Sequence, residues 1–194
     1  MWQNVLADLP GVRVTHSIEI GGRSRGEQIG SATEQITRYL IGHPARAVVV
    51  QGDTNSTLAG ALAAMSLGIP LIHVEAGLRS FDRRMPEETN RVLVDAIADL
   101  CCAPVEANAE TLRNEGVGSD RIVVTGNTLA DAMDIIAPAI GSHRDILRDA
   151  GLPTEEDYAL CTVHRAALVD HKDSLAAVLG ALNDLAQHAM VVLP

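Results

Sequence analysis

The chain has 194 residues, 47% of them hydrophobic and 2% aromatic, with 15 basic against 25 acidic side chains and a net charge of −10. That length holds one good core and the start of another; the charge excludes a nucleic-acid groove or a polybasic membrane anchor as the main surface, and so few aromatics exclude stacking platforms for single strands. No long apolar run or signal-like N-terminus is present, so the expected setting is cytoplasmic, and Cys101, Cys102 and Cys161, an odd set without metal spacing, are expected to be buried reduced thiols.

Ile29, Ala32, Ile36, Tyr39 and Leu40 recur on one helical face, and the helix stops at Gly42-His43-Pro44. Ala45 to Gln51 reads as a buried strand. Thr54 to Thr57 supplies caps for a helix with a core stripe of Leu58, Ala61, Leu62 and Met65, closed by Gly68. Pro70 to Val74 is the next strand. Pro86 opens a helix with Glu87 and Glu88 in its first turn, and Val92, Leu93, Ala96 and Ile97 form its expected buried face. Leu100 to Ala103 is a strand, Asn108 to Glu115 a helix ended by Gly116, and Ile122 to Thr125 a strand. Strands and helices alternate without a hairpin signal, which predicts an α/β fold with a parallel, Rossmann-like sheet, right-handed crossovers and helices on both faces. Residues 129–157 read as a connecting helix and linker broken near Pro138 and Gly141. Tyr158 to Val163 starts afresh as a strand, Leu175, Val178, Leu179 and Leu182 mark a helix, and Met190 opens another strand. The expected division is a first domain over 1–128, the linker over 129–157, and an incomplete second domain over 158–194.

Strands in this reading end in polar residues: Gly52-Asp53-Thr54, Glu75, Gly126-Asn127 and His164-Arg165. Open parallel sheets bind their ligands at that edge, so these residues are expected to line a cleft. Asp53 and Glu75, joined by Glu87 at a helix start, make a candidate acid/base site. Crowded carboxylates in such a cleft push one another's protonation apart, leaving one as acid and another as base. Asp53 and Glu87 also have plainer uses, whereas Glu75, directly before Ala76-Gly77, has no helix to cap. Asp53 can cap the following helix, and Glu87 and Glu88 can complement its neighbour's dipole. His73 shares its strand face with Glu75 and is either a packed, hydrogen-bonded histidine or a functional one. Arg79, Asn90 and Arg91 either orient carboxylates or phosphate or form scaffold ion pairs.

The motifs Gln51-Gly52-Asp53-Thr54, His73-Val74-Glu75-Ala76-Gly77-Leu78-Arg79, Pro86-Glu87-Glu88-Thr89-Asn90-Arg91, Thr125-Gly126-Asn127-Thr128 and Thr162-Val163-His164-Arg165 occur in this order. In that order the chain resembles the UDP-N-acetylglucosamine 2-epimerase family, of the non-hydrolysing bacterial type. The resemblance implies a GT-B-type pair of Rossmann-like domains with the UDP-sugar between them, and no metal or NAD. It implies anti elimination of UDP to a 2-acetamidoglucal and re-addition of UDP, so that the N-acetylglucosamine moiety becomes N-acetylmannosamine. By resemblance Asp53, Glu75 and Glu87 take acid/base or supporting roles and His164 contacts the UDP phosphate; Arg165, Arg79 and Asn127 are the other expected substrate contacts. Hydrolysing relatives share the same carboxylates and release the free sugar.

The resemblance has gaps. Nothing from Met1 to Val14 matches the family's opening strand and its Gly-Thr-Arg-Pro-Glu loop. Ala167 and Leu168 stand where the family has an acidic residue and an Asn, and the family's distal Ser-Gly-Gly and Gln-Glu-Glu segment falls beyond Pro194. The expectation is therefore a truncated or divided epimerase-like chain, partnered by a second copy or a complementary chain, or a non-catalytic remnant that binds a partner.

Overall fold

In a computed structural model of the protein, residues 14–139, 143–153, 157–163 and 166–193 are described. Contacts divide it into one unit through Ala132 and a second from Met133.

The first unit opens with helix α1 (Arg25–Gly42). Its start is fixed by Glu27, whose carboxylate accepts from the Ser24 N–H at 2.9 Å and the Ser24 hydroxyl at 2.6 Å. The chain then alternates through β1 (Val48–Gln51), α2 (Asn55–Leu67), β2 (Leu71–Val74), α3 (Pro86–Ile97), β3 (Leu100–Ala103), α4 (Glu106–Asn114) and β4 (Ile122–Val124), and α5 (Thr128–Ile136) carries it past the division between the units. The strands lie in the order β1-β2-β3-β4 and are all parallel, with Val50 opposite His73 and His73 opposite Cys101. The α/β class read from the alternation is the one the chain adopts.

Sequential order has a consequence for layering. Right-handed crossovers between strands taken in order put α2, α3 and α4 on one face of the sheet, which corrects the expected cover on both faces. Burial follows: Val50, Leu71, His73, Cys101 and Ala103 point into the core beneath those helices. Residues of the opposite parity, Val49, Ile72, Val74, Cys102 and Val123, form the other face, where Val49 is 62% and Val123 46% exposed.

Two helices bury more than their periodicity predicts or bury a different face. Helix α2 is packed against α1, α3, β1 and β2 and buries Thr57, Leu58, Ala59, Gly60, Ala61, Ala63 and Ala64, most of its circumference, because its side chains are small enough for close approach. Met65, expected in the core stripe, is exposed. In α3 the buried residues are Glu88, Asn90, Val94 and Asp95, in place of the expected stripe; Leu93 and Ala96 are exposed. Val92, Leu93 and Ala96 line a cavity of about 540 Å³ together with Phe81 and Val117, while Ile97 packs on the core beside the polar groups that tie the strand-end loops together.

The second unit contains a 3-10 turn (Ala137–Ala139), α6 (His143–Asp149), β5 (Tyr158–Leu160), α7 (Ala166–Val169), α8 (Lys172–Leu185) and β6 (Met190–Val192). Strands β5 and β6 are parallel, with Ala159 opposite Val191. Leu175, Val178 and Leu182 form the half-buried stripe of α8 as their spacing predicts, whereas Leu179, expected with them, is exposed.

Of the cysteines, only Cys101 is buried; Cys102 and Cys161 are half-buried, since Cys102 points to the open sheet face and Cys161 lies just past β5. Burial, reinforced by the Asp95 carboxylate, pushes the Cys101 thiol up to about 12.

Candidate active site

The C-terminal ends of β1 and β2 carry the first two candidate acids. Gly52 turns the chain after β1 with a φ of 72°, a left-handed conformation that favours glycine. The turn is tied down on every side: Gly52 N–H donates to the Val74 carbonyl at 3.0 Å, and the Thr57 hydroxyl donates to the Gln51 carbonyl at 2.7 Å. Thr54, not Asp53, caps α2, its hydroxyl accepting from Thr57 N–H at 3.2 Å. The capping use considered for Asp53 is therefore filled by its neighbour. Asp53 instead pairs with the Nη2 of Arg91 on α3, and its carbonyl accepts from Asn90 Nδ2 at 2.8 Å. Asn90 is buried and is itself held by Arg25, whose Nη2 reaches Asn90 Oδ1 at 2.7 Å. Arg91 Nε is buried without an acceptor.

Glu75 follows β2 directly and has a φ of 65°. Left-handed backbone costs a residue with a Cβ about 1–2 kcal/mol, and such strain persists where surrounding contacts hold it. Those contacts are visible. Gln51 Nε2 donates to Glu75 Oε1 at 2.8 Å and approaches the Thr128 hydroxyl at 3.4 Å. The other oxygen, Oε2, lies over the preceding turn, 3.5 Å from where a Cβ on Gly52 would sit. The Glu75 carboxylate is thus set against the Gly52-Asp53 turn by its own strained backbone.

Glu87 is exposed in the first turn of α3, while the next residue, Glu88, is turned inward. Burial alone would raise the Glu88 carboxyl; hydrogen bonds from Ser80 N–H at 2.8 Å, the Ser80 hydroxyl at 3.0 Å and Phe81 N–H at 3.1 Å more than offset this and hold it below the usual range. Glu88 therefore shapes the 80–81 turn, where Phe81 has a φ of 57°. This goes beyond the dipole role expected of it.

Beneath the strand ends lies a buried ionic network whose acidic partners, Asp95 and Glu115, the sequence reading does not single out. Arg79, expected to touch substrate, has a side chain only 2% exposed and meets Asp95 at 2.7 Å and Glu115 at 2.5 Å. Its Nη1 also donates to the Leu78 carbonyl at 2.7 Å. With its donors turned inward Arg79 is an internal clamp, which corrects the expected role. Burial acts to lower the guanidinium, and the carboxylates of Glu115 and Asp95 raise it overall. Asp95 also accepts from Gly77 N–H at 3.1 Å and faces His73 Nδ1 at 2.6 Å. Asp95 escaped notice because it sits among apolar residues of α3; the spacing of Glu88, Arg91 and Asp95 along one helical face was the available signal.

After β4, Thr125 N–H donates to the Ala103 carbonyl at 3.0 Å, and Asn127 caps α5, its Oδ1 accepting from Leu129 N–H at 2.9 Å. Asn127 Oδ1 is therefore already engaged at the helix start. His164 and Arg165 lie outside the described residues. The structure brings together Asp53, Glu75, Gln51, Arg91 and Thr128 at one edge of the first unit's sheet.

Residues 1–194 match the family described as UDP-N-acetylglucosamine 2-epimerase. A UDP-N-acetylglucosamine 2-epimerase of Methanococcus maripaludis is 39% identical over 89% of this chain and 47% of its own length. A UDP-2,3-diacetamido-2,3-dideoxy-D-glucuronate 2-epimerase of Pseudomonas aeruginosa is 37% identical over 92% of this chain and 50% of its own length. Among solved structures, the UDP-GlcNAc 2-epimerase of Methanocaldococcus jannaschii in complex with UDP-GlcNAc and UDP superposes with a TM-score of 0.85 at 37% identity, covering 94% of this chain and 51% of that one. The chain spans about half the length of the curated relatives it matches.

Proposed function

The chain belongs to the UDP-N-acetylglucosamine 2-epimerase family, and we propose that it acts in the 2-epimerisation of a UDP-2-acetamido sugar, interconverting UDP-N-acetylglucosamine and UDP-N-acetylmannosamine. The observation that carries the reading is Glu75, held in left-handed backbone with its carboxylate over the Gly52-Asp53 turn. A protein keeps such strain where a side chain must be aimed.

The chemistry needs what this edge offers. Departure of UDP builds positive charge at the anomeric carbon, which makes the neighbouring C2 proton removable by a carboxylate within hydrogen-bonding reach. Return of a proton to the opposite face requires a second acid. Asp53, Glu75 and Glu87 supply these roles, with Arg91 orienting Asp53 and Gln51 orienting Glu75. His164, Arg165 and Asn127 are assigned to the diphosphate side, in a two-domain protein divided as 1–128, 129–157 and 158–194, working as a homodimer or with a complementary chain.

The test is incubation with UDP-N-acetylglucosamine in deuterated water, followed by NMR. The expected product is the epimer carrying deuterium at C2, with Glu75→Gln reducing turnover at least about 10²-fold, the lower end of the usual contribution of an acid/base group. Undiminished turnover in Glu75→Gln removes the carboxylate from the chemistry. Free sugar in place of the UDP-linked epimer points to hydrolysis. The match to a diacetamido-glucuronate epimerase supports a second reading, the same reaction on a more oxidised sugar; the assay repeated with that nucleotide sugar separates the two.

A further inference from the structure

His73 is fully buried on β2, and each of its ring nitrogens faces an oxygen: Nδ1 lies 2.6 Å from Asp95 Oδ1, and Nε2 lies 2.8 Å from the Gly52 carbonyl. A carbonyl oxygen can only accept, so a close, buried contact with it requires a proton on Nε2, and the contact of Nδ1 with the Asp95 carboxylate holds a second proton between them. The ring then acts as a rod. One end rests on Asp95 of α3, which is itself fixed by Arg79 at 2.7 Å and by Gly77 N–H at 3.1 Å; the other end holds the carbonyl of the residue immediately before Asp53. Glu115 completes the clamp on Arg79 from beyond α4, at 2.5 Å. Gly52 needs such a hold: its left-handed backbone is anchored through N–H to Val74, and His73 anchors its carbonyl.

We propose that His73 is a positioning residue for the reaction, a donor that pins the Gly52 carbonyl and so aims Asp53, with Asp95 and Arg79 holding the imidazole in place. This rests on the epimerase reading for its kinetic consequence but not for its geometry. The same line of contacts links Asp53 to Glu75: the tethered Gly52 is the residue over which Glu75 Oε2 sits, so both carboxylates are referred to one pinned peptide.

Two substitutions separate tethering from packing. His73→Gln keeps an amide donor near the position of Nε2 and can still reach the Gly52 carbonyl, whereas His73→Asn keeps only the donor near Nδ1. The expected result is a kcat loss on the order of 10²-fold for His73→Asn, the effect of displacing a reacting group by about 1 Å, a markedly smaller loss for His73→Gln, and KM within about twofold for both, as befits a change in aim at unaltered binding. Equal losses in the two variants, or losses confined to KM, overturn the proposal. A measurement on the unmodified 194-residue chain stands beside this and needs no turnover: nitrogen-15 NMR of labelled histidine. A proton on His73 Nε2, exchanging slowly with water, is expected; an Nε2 that reads as a bare lone pair overturns the tether. Should the wild-type chain form no epimer, the functional reading fails while the NMR result still decides the tether.

Discussion

Glu75 states the compromise of this site within one residue. Replacing it by glycine removes the left-handed penalty of about 1–2 kcal/mol and adds about 0.5–1 kcal/mol of unfolded-chain entropy to be lost. Glu75→Gly is therefore expected to unfold at the same or a higher urea concentration than the wild type while epimer formation disappears. A midpoint lowered by more than 1 kcal/mol equivalent in equilibrium urea unfolding would contradict the strain at this position. Asp53 and Glu75 were legible in the sequence because each interrupts an apolar run where a strand ends. For Arg79 the sequence leaves two uses open, a substrate contact and a scaffold ion pair, and the structure shows the ion pair. It shares the same loop and the same charge chemistry as a substrate-binding arginine, and only the arrival of Asp95 and Glu115 from two other elements turns it inward. The role of His73 was open for the same reason, since its partners are 21 and 22 residues away in sequence.

At the scale of elements, α3 explains why the strand ends stay in register with one another. Its inward face presents Glu88 to the 80–81 turn, Asn90 and Arg91 to the Asp53 turn, and Asp95 to both His73 and the loop after β2. Apolar periodicity alone rotates the helix away from its buried face, keeping only Ile97 of the expected stripe against the core, because the residues that matter here are polar and become buried only with their partners. The loop after β2 is equally constrained. Gly77 has a φ of 78°, and a Cβ there would lie 2.3 Å from the Asn108 carbonyl oxygen. The neighbour is backbone of α4 and has no rotamer to change. Gly77→Ala is expected to destabilise the chain by roughly 2–5 kcal/mol, the sum of left-handed strain and overpacking, read as a shift of the urea midpoint. A shift under 1 kcal/mol would show that α4 slides away freely.

The whole first unit is a sheet with helices α2, α3 and α4 to one side, and this follows from strand order. Alternation of strand and helix in the sequence predicted the parallel sheet, and the order β1-β2-β3-β4 then dictates one-sided cover. What alternation could not predict is the exposure of Val49 and Val123, since a run such as Val48-Val49-Val50 reads as buried on both faces. Val49→Lys is expected to change stability by no more than about 0.5 kcal/mol, as for other exposed positions, and to reduce the binding of an apolar dye such as ANS. The contrasting substitution, Val50→Lys, places a charge in the core and is expected to abolish folding, which circular dichroism reads directly.

The order of the strands also bears on how the unit is made. Among the described residues of this unit each strand after β1 pairs with the one synthesised just before it, across a single helical crossover, so none of β2, β3 and β4 is inserted between two that are already joined. Each pairing closes one crossover, with partners 23, 28 and 21 residues apart, so the loop-closure cost is met in three steps and never across the whole sheet at once. The unit can therefore assemble in the direction of translation, one crossover docking after another as it leaves the ribosome, and the Gly52 turn acquires its His73 tether as soon as β2 and α3 have followed β1.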